Sequence, residues 1–173
     1  DRAVVAGHVL LQDRDDVADL TAEAANLVFK PVWSRFATRT AIRPQPDQLA
    51  RIDPSRDVPW IAQDFVTGDE ISVFGMAHAG RVTALAAYRG LVRAGLGASV
   101  AFAPVADAAV ARFVQTFAAG TGWTGQVSFD LIRKVDGTVL PIECNPRATS
   151  GLHFFRDPMG FARAIQGDGE ALP

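Results

Sequence analysis

The 173-residue chain has little cysteine, lysine, methionine or tyrosine. Its single cysteine, Cys144, excludes an internal disulfide framework and a cysteine-rich zinc site. Basic excess is also missing: the formal charge is −2, so nothing drives binding to a nucleic-acid backbone. No apolar run approaches the roughly 20 residues that a membrane-spanning helix needs. The first residues carry no basic-then-apolar leader pattern. There is no internal repeat, no low-complexity tract, no G-x-S-x-G element and no H-x-x-x-H spacing. These absences lead us to expect a soluble, cytoplasmic protein whose partners include neither nucleic acid nor membrane.

What remains is ordinary globular composition, 49% hydrophobic and 21% charged, enough for one domain or two small lobes. Among the cations, 15 are arginine and only Lys30 and Lys134 are lysine. Where arginine is the default cation, a lysine asks why a compact point charge is needed.

Periodicity predicts a strand over 8–12 and a helix over 14–25, with Val17, Leu20 and Ala24 on one side. A buried strand, Leu27-Val28-Phe29, ends at Lys30-Pro31. A loop with room for a strand covers 34–43, a short helix 47–52 and a strand 60–66. A hairpin over 70–78 and 82–89 turns near Ala79-Gly80, then 90–104, with Gly90, Gly95 and Gly97, reads as a loop. A helix follows over 106–119, then strands over 123–135 and 138–145, and a last helix over 158–166. The order predicts an α+β fold: a small βαβ-type lobe up to about residue 62, then a larger antiparallel-sheet lobe with helices on one face.

The Asp136-Gly137 pair between alternating runs predicts a two-residue hairpin turn. Counting outward from it places Asp130 opposite Glu143, with Gln126, Ser128 and Asn145 on the same face and Cys144 on the core face. Two opposed carboxylates destabilise a sheet by about 0.2–1 kcal/mol unless a cation sits between them. With an amide oxygen beside them they make a hard-oxygen site of the kind Mg²⁺ takes, commonly together with substrate phosphates. Arg147, just beyond, suits a phosphate or carboxylate through its fork. The alternative is a solvated polar face of an ordinary hairpin.

Lys30, at a strand end, suits a phosphate; the alternative is a solvent-facing lysine. Gln63 to Glu70, Gln-Asp-Phe-Val-Thr-Gly-Asp-Glu, joins the two lobes, and an extended connector there offers backbone groups to a purine edge. A count from Ala79-Gly80 sets Glu70 opposite Arg89, as an ion pair or a shared nucleotide contact. His78 reads as a surface residue and Cys144 as a small buried one.

Lys30 after a buried strand, the Gln63–Glu70 segment, Asp130, and Ile-Glu-Cys-Asn-Pro-Arg over 142–147 together resemble the ATP-grasp superfamily. The likeness is to its carbamoyl-phosphate-synthase-like and carboxylate–amine ligase branches, and it covers nearly the whole chain. It implies a first lobe over 1–62, a connector over 63–66 and a second lobe over 67–173, with a nucleotide bound between the lobes. It implies ATP with Mg²⁺, or Mn²⁺ in its place, and an acyl-phosphate formed from a small carboxylate and attacked by an amine or a thiol. By resemblance, Lys30 binds phosphate, Gln63, Asp64, Phe65 and Val66 bind adenine, and Glu70 binds ribose. Arg89 touches phosphate; Asp130, Glu143 and Asn145 hold the metal; Arg147 stabilises the reacting acyl-phosphate. The loop after the lysine, Trp33-Ser34-Arg35-Phe36-Ala37-Thr38, lacks the glycines usual there, which implies a bulkier lid. The resemblance also implies a preceding α/β domain, so the expectation is the ATP-binding part of a longer enzyme, inactive alone; a homo-oligomer stays open. The alternatives are a nucleotide-binding module without catalysis, or a phosphotransferase on the same fold.

Overall fold

The computed structural model describes residues 6–33, 39–93 and 99–173. The expected lid residues 34–38, and Gly95 and Gly97 of the expected loop, lie outside them. The described residues form two compact units, Ala6–Val66 and the remainder from Thr67 onward.

The unit Ala6–Val66 holds β1 (His8–Leu11), α1 (Arg14–Asp19), β2 (Leu27–Pro31), β3 (Ala41–Ile42), α2 (Pro46–Leu49) and β4 (Trp60–Asp64). Asp13 starts α1 through a capping box: its carboxylate accepts the Asp16 N–H while that of Asp16 accepts the Asp13 N–H. The helix expected over 14–25 breaks at Leu20 and continues as a 3-10 turn over Thr21–Asn26. That turn still delivers Ala24 to a core of Leu11, Val17, Leu27, Phe29, Leu49, Ile52, Trp60 and Ala62.

The sheet order is β1-β4-β2-β3, and every ladder in it is antiparallel. The expected βαβ-type arrangement is present in split form. β1 and β2 run the same way, but β4 inserts between them and takes hydrogen bonds from both. Leu27 and Phe29 on β2 and Trp60 and Ala62 on β4 face the core, which turns Lys30 and Gln63 to the other side.

The other unit is a five-stranded antiparallel sheet, β7-β6-β5-β8-β9. Its strands are β5 (Asp69–His78), β6 (Arg81–Arg93), β7 (Ser99–Pro104), β8 (Gly125–Arg133) and β9 (Val139–Asn145). Residues 90–104, expected as a loop, are therefore largely the end of β6 and all of β7. Their pairing shifts register between Gly90 and Val92 and again at Arg93, which erases the period-2 signal.

Helix α3 (Ala108–Thr121), capped by Asp107, lays Val110, Phe113 and Val114 over Ile71, Val73, Val127, Phe129 and Leu131. Helices were expected on one face only. In fact α4 (Pro158–Gln166) packs Ala164 and Phe161 against Met76 and Ala84 on the opposite face. The 3-10 turn Ser150–Phe154 shares that face, with Phe154 5.6 Å from the Tyr88 ring. Among the described residues no helix is long and apolar enough to cross a membrane.

Candidate functional site

The sheet register lines up one polar row. Tyr88 on β6 pairs with Ser72 on β5, Ser72 with Asp130 on β8, and Asp130 with Glu143 on β9. In the next row Ser128 pairs with Asn145. Side chains directly opposite across antiparallel strands share a face, so Asp130, Glu143 and Asn145 are brought together as the sequence predicts.

The route to that register differs from the expected one. The loop is three residues, Val135 to Gly137, closed by the Lys134 N–H donating to the Thr138 carbonyl at 2.8 Å. Gly137 takes φ +83° and Asp136 stays at negative φ, its carboxylate accepting the Thr138 N–H at 2.9 Å. This displaces the pairing by one residue. A bulge at Ile142, between Asp130 and Leu131 on the facing strand, displaces it back.

The carboxylates are hydrogen-bonded by neighbours. Ser72 Oγ donates to Asp130 Oδ1 at 2.7 Å, and Asn145 Nδ2 donates to Glu143 Oε1 at 2.8 Å. Among the described residues no three His, Cys, Asp or Glu side chains converge; this set has two carboxylates and one amide. An oxygen-only donor set with two negative charges fits Mg²⁺, which takes one or two carboxylates and completes its shell with water and phosphate.

Arg147 is exposed, with its N–H donating to the Asn145 carbonyl at 2.8 Å. Cys144 is corrected: it is exposed, because β9 is an edge strand. Partial desolvation and the Glu143 charge push its thiol above the ordinary value, away from a thiolate nucleophile at neutral pH.

Glu70 and Arg89 are not opposed, which corrects the count from the turn. Ala79 and Gly80 do form a two-residue turn, both at positive φ. Thr83 then bulges, and Ala171 donates its N–H to the Thr83 carbonyl at 2.9 Å, so the register moves by one beyond Met76. The ladder ends at Ser72 and Tyr88. Where it ends, a cavity of about 410 Å³ is lined by Glu70, Ser72, Arg89, Gly90, Phe102 and Arg133, among others. Glu70 and Arg89 therefore meet around one cavity instead of across one ladder.

In the unit Ala6–Val66, Lys30 Nζ donates to Gln63 Oε1 at 3.1 Å, and Gln63 is buried. The connector is partly committed to its own unit. The Asp64 N–H donates to the Gly7 carbonyl at 2.9 Å, while the Asp64 carboxylate accepts the Gly7 N–H at 3.0 Å. The Phe65 N–H donates to the Asn26 carbonyl at 2.8 Å, and the Arg43 guanidinium lies 5.3 Å from the Phe65 ring.

Sequence reasoning placed Ser128 on the Asp130 face without a role and missed Tyr88 and Thr149 behind the carboxylates. Tyr88 is buried, its hydroxyl 2.9 Å from Thr149 Oγ1; Thr149 Oγ1 is 3.1 Å from Ser128 Oγ, which donates to the Arg147 carbonyl at 2.8 Å. The available signal was Ser128 on the same strand face as Asp130. It missed Arg133 as well, which bridges Asp107 at 2.8 Å and Asp69 at 2.9 Å.

No protein-family model matches this sequence, and no curated protein matches it. Solved structures do match its fold. The ADP complex of purK, an N5-carboxyaminoimidazole ribonucleotide synthetase, superposes at TM-score 0.70 with 14% identity, over 98% of this chain and 49% of its own. Phosphoribosylamine–glycine ligase from Thermotoga maritima gives 0.70 and 13%, over 97% and 51%. The ATP-grasp ligase PsnB, solved with a minimal precursor, Mg and ADP, gives 0.58 and 19%, over 86% and 47%. The chain has an ATP-grasp fold, and it spans about half the length of these structures.

Proposed function

We propose that this chain is the ATP- and Mg²⁺-binding part of an ATP-dependent ligase that activates a carboxylate as an acyl-phosphate for attack by an amine or a thiol. The observation that carries the reading is the Asp130–Glu143 pair with Asn145 on one sheet face. An all-oxygen donor set with two negative charges on one face is the kind a hard divalent cation takes. The neighbours add support: PsnB was solved with Mg and ADP, and purK with ADP.

The roles follow from the chemistry of each group. Asp130, Glu143 and Asn145 would hold Mg²⁺, which when bound neutralises charge on phosphate oxygens. Lys30, oriented by Gln63 Oε1, places a point charge on phosphate. Glu70 accepts from ribose hydroxyls and Arg89 donates to phosphate at the cavity they both line. Asp64 and Phe65 spend their N–H groups inside the unit, so among 63–66 a purine would be read by other polar groups, such as the Val66 backbone. A substrate carboxylate oxygen attacks the γ-phosphorus and ADP leaves. The nucleophile then attacks the acyl carbon and phosphate leaves, with the Arg147 guanidinium offsetting the oxyanion charge. Effective positioning supplies roughly 7–11 kcal/mol of such a barrier.

Calorimetric titration with ATP, with and without Mg²⁺, tests the reading. Tighter binding with Mg²⁺ that depends on Glu143 is expected. ATP affinity unchanged by Mg²⁺ refutes it.

A further inference from the structure

The hydroxyls behind the carboxylate row can be ordered by counting protons. The Arg147 carbonyl only accepts, so Ser128 spends its one proton there, at 2.8 Å. Ser128 Oγ must then accept from Thr149, 3.1 Å away. With its proton spent on Ser128, Thr149 must accept from Tyr88, 2.9 Å away. Burial, with the Asp130 charge adding to it, pushes the Tyr88 hydroxyl above its ordinary value, which keeps the proton on the donor at the head of the chain.

The result is one direction of donation, from Tyr88 through Thr149 and Ser128 to the Arg147 carbonyl. Thr149 and the Arg147 carbonyl lie in the same short segment after β9. Tyr88 and Ser128 are 3% and 2% exposed and belong to the sheet, so the segment is fastened to rigid strands at a site that excludes water. Gly151 packs too closely for any side chain, since a Cβ there would lie 2.5 Å from the Phe74 Cβ.

We propose that Tyr88, Thr149 and Ser128 are positioning residues, a directed hydrogen-bond relay that fixes the 147–151 segment, and with it Arg147, over the sheet face bearing Asp130 and Glu143. For catalysis the idea rests on the nucleotide-site reading above; as a statement about local order it stands apart from it.

Amide hydrogen exchange of the 173-residue chain tests it, using Thr149→Val, which keeps shape and loses the hydroxyl, and Thr149→Ser, which keeps the hydroxyl. We expect the Leu152 amide, which donates to the Thr149 carbonyl at 3.1 Å, to exchange about tenfold faster in Thr149→Val, with α3 and β8 unchanged, and to return to within about twofold of wild type in Thr149→Ser. A Thr149→Val indistinguishable from wild type, or equal loosening in both variants, overturns the relay. Should Thr149→Val fail to fold, Tyr88→Phe, whose ring keeps its places beside Phe102 and Phe154, carries the same expectation and the same refutation. ATP titration with Mg²⁺ runs in parallel: no Mg²⁺-dependent binding by wild type sinks the nucleotide reading and leaves the exchange result to decide the relay.

Discussion

Glu143→Gln separates a ligand site from an ordinary polar face, because the two readings predict opposite signs. Glu143 lies directly across from Asp130, and like charges so placed oppose the sheet by about 0.2–1 kcal/mol. Asn145 Nδ2 donates to Glu143 Oε1, and a glutamine oxygen at that place accepts the same bond. The substitution therefore removes charge and keeps the hydrogen bond. In EDTA the variant should melt higher than wild type, by up to about 4 °C, taking about 2–4 °C per kcal/mol for a chain of this size.

With Mg²⁺ and ATP the order should reverse. A ligand at a hundred times its Kd adds about 2.7 kcal/mol, or roughly 5–10 °C, to whichever protein binds it. Wild type should gain that and the variant only a fraction of it. Thermal denaturation under both conditions reads the two signs in one assay. A variant that melts lower than wild type in EDTA would show Glu143 to be a structural member of the hairpin and remove the ground on which the metal assignment stands.

Lys30→Ala should weaken ATP binding well beyond Lys134→Ala, since Lys134 pairs with Asp136 beside the hairpin loop, at 3.2 Å; equal losses by titration would remove the phosphate role. Arg133→Met should lower the denaturation midpoint at pH 7, because it takes a charged hydrogen-bond partner from the Asp107 carboxylate, whose side chain is only 6% exposed. Burial pushes the Asp107 carboxyl up, but the Val110 and Ala109 N–H groups and Arg133 outweigh it and leave the folded value below the ordinary one. A lowered folded value means stability present above about pH 4 and lost as pH falls through the folded value, so denaturation midpoints of the two proteins should converge in acid. A gap that persists there would mean Arg133 acts through packing instead.

Both hairpins show what local counting can reach. At Ala79-Gly80 the turn was counted correctly, yet Glu70 and Arg89 miss each other because Thr83 bulges where Ala171 returns to bond it. That contact joins residues far apart in sequence, and no local pattern around Thr83 announces it. At Asp136-Gly137 the turn was miscounted by one, yet Asp130 and Glu143 still face, because Ile142 bulges the other way. The buried faces of β5 and β8 were legible because burial enforces alternation. The end of β6 and β7 was not, because two register shifts break that alternation and exposed Leu91, Val92 and Val100 mimic an apolar loop.

The same reasoning explains why the carboxylates could be found and the hydroxyls behind them could not. Two acids facing each other are costly wherever they occur, so their register alone raises a question that chemistry must answer. A buried tyrosine and serine and a half-buried threonine raise none until their partners are known, for each is neutral and common in strands. Their meaning depends on which proton goes where, and that follows from one fact outside the strand pattern: Ser128 bonds the backbone of the residue two past Asn145. Charge placed against itself reports function from sequence. A neutral network that holds the charge in place reports only from structure, and the exchange of the Leu152 amide is the measurement that reads it.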